Sequence, residues 1–151
     1  MLTDTQWLLA ALRSLLADAH IADRVEAFAG LNVEEALRQL HDFPSTAIIL
    51  LPESLTMQHD LQGGFPVKAL LTRQLSLIIS AAEPGRPGGD MSAACALLDK
   101  VLATITWQTL GQESMLVMPT HATAQQLYFD DVPGRAVWLL SVDVSHTLNS
   151  F

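Results

Sequence analysis

Val67-Lys68-Ala69-Leu70-Leu71-Thr72-Arg73-Gln74-Leu75-Ser76-Leu77-Ile78-Ile79-Ser80-Ala81 is the stretch that decides the fold. Polar Lys68, Thr72, Gln74, Ser76 and Ser80 fall on even positions, and Leu71, Leu75, Leu77 and Ile79 on odd ones. A period of two is the geometry of a β-strand, whose side chains alternate between faces. The segment exceeds the usual strand length, so it is expected to bend or to project beyond its sheet. Upstream, Thr46-Ala47-Ile48-Ile49-Leu50-Leu51 runs apolar without a break to Pro52, the pattern of a strand buried on both faces. Between the two, Glu53 to Pro66 reads as a long connection carrying Leu55, Met57, Leu61 and Phe65 among polar residues and Gly63-Gly64.

Outward from this pair the period changes to that of helices. Thr3 and Gln6 form a capping-box pattern. Behind them Trp7, Leu8, Ala11, Leu12, Leu15 and Leu16 make one apolar face of a helix expected from about Asp4 to Ala19. Arg24 to Gly30 alternates charged and apolar residues and suits a short strand or an extended link. Asn32 is a good N-cap with Glu35 three residues on, predicting a short helix over Val33–His41 with Val33, Ala36, Leu37 and Leu40 inward. Glu83-Pro84-Gly85-Arg86-Pro87-Gly88-Gly89 is a flexible link. Asp90 can cap a third helix with Ala93, Ala94, Leu97, Leu98, Val101, Leu102 and Ile105 on one face and Gly111 as its stop. Met115–Met118 and Gln126–Phe129 read as strand pieces around Pro119, Asp131-Val132-Pro133-Gly134 as a turn, and Ala136–Val144 as a final strand. The expectation is a single α+β domain over residues 1–151. Its order is α-α-β-β-α-β-β, with one antiparallel (or mixed) sheet of about four strands and helices packed against it.

Composition narrows the function classes. Half of the 151 residues are apolar and only 16% are charged, a thin polar coat for a free monomer that points to subunit contacts. The net charge is −8, and the eight bases are scattered singly, so nucleic acid, which needs clustered Lys and Arg, is not expected as a specific partner. A single cysteine, Cys95, permits no internal disulfide and fits a reducing cytoplasm. No charge-free apolar run reaches the roughly 18 residues that span a bilayer, and the N-terminal stretch is unlike a signal peptide, so no membrane partner is expected.

The residue patterns of chemistry are missing. His20, His41, His59, His121 and His146 are far apart, with no His pair at helical spacing beside a Glu and no second Cys, so no metal site is expected. Cys95 lies within Ala93-Ala94-Cys95-Ala96-Leu97, an apolar mid-helix setting for a small packed side chain rather than a nucleophile. No Gly-x-Ser-x-Gly elbow is present, and Gly85, Gly88 and Gly89 lack the spacing of a phosphate loop. Asp130-Asp131 and Glu34-Glu35 read as solvated or helix-dipole-matched charges. No catalytic residue, metal ligand or cofactor site is assigned, and an enzyme is not expected. The remaining catalytic option joins His121, His146 and Asp143 across strands or subunits.

The overall plan resembles a known family. An amphipathic first helix leads to Val25-Glu26-Ala27-Phe28-Ala29-Gly30, then a strand beginning near Pro44 with Ala47, and a long second strand. A Gly-rich loop follows, before a helix ending near Gln108-Thr109-Leu110-Gly111. This order resembles the Mu-like prophage small tail proteins and, through them, the tail-terminator proteins of long-tailed phages. The resemblance implies a virion tail subunit, assembled in the host bacterial cytoplasm. It implies a homo-oligomeric, six-fold ring closing the head-proximal end of the tail tube and facing the head connector. In a contractile tail the ring would also meet the last sheath ring. Partners are then other copies, the tube protein, and the sheath and connector proteins.

A ring needs two different complementary patches on each subunit, because its interfaces are heterologous. The long strand with Arg73, the apolar Leu55, Met57, Leu61 and Phe65, and the Glu83–Gly89 arm with Arg86 are the expected interface residues. Acidic charge around a lumen would repel DNA and ease its passage. The alternative is a small adaptor or chaperone-like binding module of a virion or of a tail-like secretion assembly.

Overall fold

The computed structural model describes residues 5–42, 46–62, 65–82, 92–106, 118–127 and 135–149. Helix α1 (Thr5–Asp18) is followed by strand β1 (Arg24–Ala27), helix α2 (Val33–Arg38) and a 3-10 turn over Gln39–Asp42. Strands β2 (Thr46–Gln62) and β3 (Phe65–Ala82) come next, then helix α3 (Ser92–Ile105) and strands β4 (Met118–Leu127) and β5 (Arg135–Asn149). The five strands form one sheet in the order β1-β2-β3-β5-β4. β1 runs parallel to β2, and the other neighbours are antiparallel.

The α+β class and the single sheet are as expected, with one more strand. Arg24–Ala27 is not a link but an edge strand, which makes the order α-β-α-β-β-α-β-β and the sheet mixed. The largest difference lies at Glu53–Pro66. β2 runs through Pro52 to Gln62 and β3 begins at Phe65, so the expected connection is mostly a second, projecting half of a long hairpin. β4 likewise continues across Pro119, which an edge strand tolerates because proline's missing N–H needs no partner on the open side. The Thr3 cap, Gly63-Gly64, the Glu83–Gly89 arm, Asp90, Gly111 and the Asp131–Gly134 turn lie outside the described residues.

Each face of the sheet has its own core. On one face, α1 and α3 cover Ile48, Leu50, Leu75, Leu77, Ile79, Leu140, Val142 and Val144 with Leu8, Leu9, Leu12, Leu16, Leu97, Leu98, Val101 and Ile105. On the other, α2 and the 3-10 turn bring Ala36, Leu37 and Leu40 onto Ala47, Ile49, Leu51, Ile78 and Val137. This division explains the two sequence patterns. Thr46–Leu51 is apolar throughout because helices lie above and below it, the condition for a continuous apolar strand. α1 ends where His20 takes the left-handed conformation, at φ 54°, which stops helical hydrogen bonding. Ala93, expected to face inward, is exposed on α3.

The buried serines have hydrogen-bond partners, whereas the Trp138 indole Nε1 is buried with none among the described residues. The Ser76 hydroxyl donates to Glu53 Oε1 at 2.7 Å, and Arg135 Nε donates to the fully buried Ser80 Oγ at 2.9 Å. Burial pushes the Arg135 pKa down from its ordinary value, the direction desolvation imposes on a cation.

Asn32 is the N-cap of α2, its side chain accepting from the Glu35 N–H at 2.8 Å. Asn32→Ala will therefore lower stability by about 1 kcal/mol, the usual cost of losing such a cap. A urea midpoint that falls with an unchanged slope checks this; an unmoved midpoint refutes it.

Candidate functional site

The projecting half of the β2–β3 hairpin begins at an irregularity. Pro52 pairs with Leu75 and Ser54 with Gln74, so Glu53 is an extra residue on β2, a β-bulge. Before it, Ile48 and Leu50 sit on the α1/α3 face while Leu51 sits on the α2 face. The bulge shifts the parity by one. Beyond it Leu55, opposite Arg73, and Met57, opposite Leu71, join the α1/α3 face, because antiparallel partners share a side.

That face runs out of helix before it runs out of apolar residues. Arg73 marks the boundary. Only 7% exposed, it donates from Nε to Thr5 Oγ1, at the first residue of α1, at 3.2 Å. Past it, Leu55 and Met57 are each 56% exposed, and Leu70, on the opposite face, is 41% exposed. Leu55 and Met57 are thus two large apolar side chains exposed on one face of the hairpin, a pattern common at surfaces that partners cover.

Leu70 apart, the opposite face of the same region carries polar side chains. Ser54 Oγ donates to Gln74 Oε1 at 3.3 Å, and the Thr72 and Ser145 hydroxyls lie 3.0 Å apart. Thr120 reaches both Ser145 Oγ and the Asp143 carbonyl oxygen at 3.3 Å. The projecting sheet thus exposes Leu55 and Met57 on one side and mostly hydroxyls and amides, with Leu70, on the other.

The expected interface residues divide as follows. Leu55 and Met57 lie together and exposed, whereas Arg73 is buried at the hairpin's root. Leu61 and Phe65 belong to the hairpin's backbone ladder, opposite Pro66 and Gln62 respectively. Arg86 lies outside the described residues. The sequence reading missed the outer edge of β4, where Thr120, His121, Ala122, Thr123, Ala124 and Gln125 are all exposed. Its signal was available in small and polar residues without one Asp, Glu, Lys or Arg from Met118 to Leu127.

Within the single chain the three catalytic candidates do not come together on one face of the sheet. His121 Nδ1 lies 3.9 Å from Asp143 Oδ2 with His121 well exposed. His146 stands in register with Leu71, an odd number of residues from Asp143 and so at a position of opposite parity. Among the described residues no group of three or more His, Cys, Asp or Glu is placed to hold a metal ion. No helix among them is long and apolar enough to cross a membrane.

No protein-family description matches the chain, and no curated protein matches it. Among solved structures the fold is similar to a chain in the virion of a native gene transfer agent particle. The match has a TM-score of 0.52 and 14% sequence identity, and it covers 95% of each chain. The likeness spans nearly the whole length of both chains.

Proposed function

We propose that this chain is a structural subunit of a phage-like virion, of the tail-terminator kind. It forms a ring at the head-proximal end of a tail tube and meets the tube, the head connector and, in a contractile tail, the sheath. The observation that carries the reading is the projecting hairpin with Leu55 and Met57 uncovered on one face. A solitary domain gains nothing from exposing them, whereas an assembly buries them. The end-to-end fold likeness to a virion component supports the same reading, as does the thin charged coat of a chain that is only 16% charged.

Light scattering on the purified chain, alone and with tail tubes, tests it. A discrete multimer, or a ring seated on tube ends in electron micrographs, is the expected result. A chain that stays monomeric at tens of micromolar, and leaves tube ends bare, overturns the proposal. A one-to-one complex with a single virion protein and no ring transfers the reading to an adaptor.

A further inference from the structure

Among the described residues the sheet is open along both edges, formed by β1 and the outer reach of β2 on one side and by β4 on the other. β1 pairs with β2 only from Ala47 to Leu50, and the Phe28 N–H to Leu50 carbonyl bond (3.0 Å) ends that contact. Beyond it, no described strand lies along the outer side of β2 from Leu51 to Gln62. The outer side of β4, Met118–Leu127, is open in the same way. Open edges present rows of N–H and C=O groups ready to pair, and solitary proteins guard them with lysines, inward charges or very short strands. β4 is ten residues long and carries no Lys, Arg, Asp or Glu. Its one proline and its one bulge both lie at the Met118–His121 end, leaving Ala122–Leu127 regular. On β2, Pro52 and the Glu53 bulge lie at the root, leaving Leu55–Gln58 regular.

The two edges fit each other. β2 is antiparallel to β3, β3 to β5, and β5 to β4, so β2 and β4 run in opposite directions. When neighbouring copies keep the same orientation, β4 of one therefore meets β2 of the next as an antiparallel pair, the more stable ladder. The faces match as well. On the α1/α3 side, β4 presents Ala122 and Ala124, in register with Val142 and Leu140. On that side β2 presents Leu55 and Met57. Large exposed side chains meet small ones. On the other side Thr123 and Gln125 meet Ser54, Thr56 and Gln58, polar against polar. No two like charges oppose each other, because β4 has none to offer apart from a protonated His121.

We infer that the outer edge of β4 in one copy pairs with the outer edge of the projecting β2 in the next, so that the sheets continue head to tail around the ring. This rests on the reading of the chain as a ring-forming subunit and names the joint. Within one subunit Leu55 is level with Arg73, Val144 and Pro119, whereas Ala124 is level with Leu140, Leu77 and Leu50. Bringing Leu55 and Met57 beside Ala122 and Ala124 therefore staggers successive copies, and a stagger is what closing a sheet upon itself requires.

A charge exchange tests the joint. One variant carries Ala122→Lys and Ala124→Lys, and a second carries Leu55→Asp and Met57→Asp. All four positions are exposed in the single chain, so thermal melts should match the parent; if a double variant fails to fold, Ala124→Lys and Met57→Asp alone carry the test. Each variant by itself is expected to drop from the assembled mass to that of one chain. Their equal mixture is expected to regain the parent mass, because lysine edges then face aspartate edges and the remaining pairs are native. Either variant assembling unaided as the parent does, or a mixture that stays unassembled, overturns the inference while the parent ring still stands. A parent chain that forms no ring alone or on tail tubes removes the proposed function and this joint together.

Discussion

Leu77→Ala and Ile78→Ala will each destabilise the chain by about 3 to 4 kcal/mol, the range for truncating a fully buried aliphatic side chain that leaves a cavity. The two residues are neighbours on β3, both with no exposed surface, yet they belong to different cores. Leu77 lies between Leu50 and Leu140 beneath α1 and α3, and Ile78 lies between Ile49 and Leu139 beneath α2. In a sheet with one wet face, one of two consecutive residues would be cheap to truncate. Here both are dear, because helices cover the central strands on both sides. Either loss is a large share of the roughly 5 to 15 kcal/mol that holds a domain folded. Urea denaturation measures it; a cost below about 1 kcal/mol at either position would contradict the two-core architecture.

The same two-sidedness governs what the sequence makes legible. The alternation from Lys68 to Ser80 identified β3, and two of its polar even positions, Thr72 and Gln74, bond to Ser145 and Ser54. Thr46–Leu51 was recognisable because burial on both faces makes a strand uniformly apolar. The rest of β2 was hidden by the bulge. Leu55, Met57 and Leu61 alternate with polar residues as a strand should, but their parity is one step out from Ile48 and Leu50, and Pro52 sits at the join. A reader seeking one pattern finds a break where the chain in fact continues. β1 was only half legible, since four residues acquire strand geometry from a parallel partner that local sequence does not specify. The site followed the same rule. Leu55 and Met57 were picked out as apolar residues in polar company, whereas the β4 edge is defined by what it lacks and only topology reveals it as an edge.

Under the proposed function the hairpin is the part of the molecule that docks. Its inner half is core, held from both faces, and its outer half is an extension of that rigid sheet past the last helix. A recognition surface built this way loses little conformational entropy on docking, because its backbone is already ordered. Flexible loops carrying the same leucine and methionine would have to be ordered at the moment of contact.

Arg73→Ala will cost about 2 to 3 kcal/mol and will loosen the outer hairpin more than the inner sheet. Arg73 lies where the two halves meet, buried between Leu75 and Leu71 along β3, with its Nε on Thr5 Oγ1 at the start of α1. Its methylene stem continues the apolar face, so truncation removes packing as well as a charge. Its guanidinium bonds the first residue of the helix that covers that face, and loss of a buried hydrogen bond to a charged donor falls in the same range of energies. Arg73→Lys restores the charge but not the planar guanidinium with its fixed N–H geometry, so it should recover only part of the stability. Hydrogen exchange separates the two effects: amides of Leu55–Gln58 should lose protection while those of Ile48–Leu50 keep theirs relative to the new global stability. An Arg73→Ala cost within about 0.5 kcal/mol of zero, typical of an ordinary surface position, would mean that α1 and the hairpin root are not coupled through this residue.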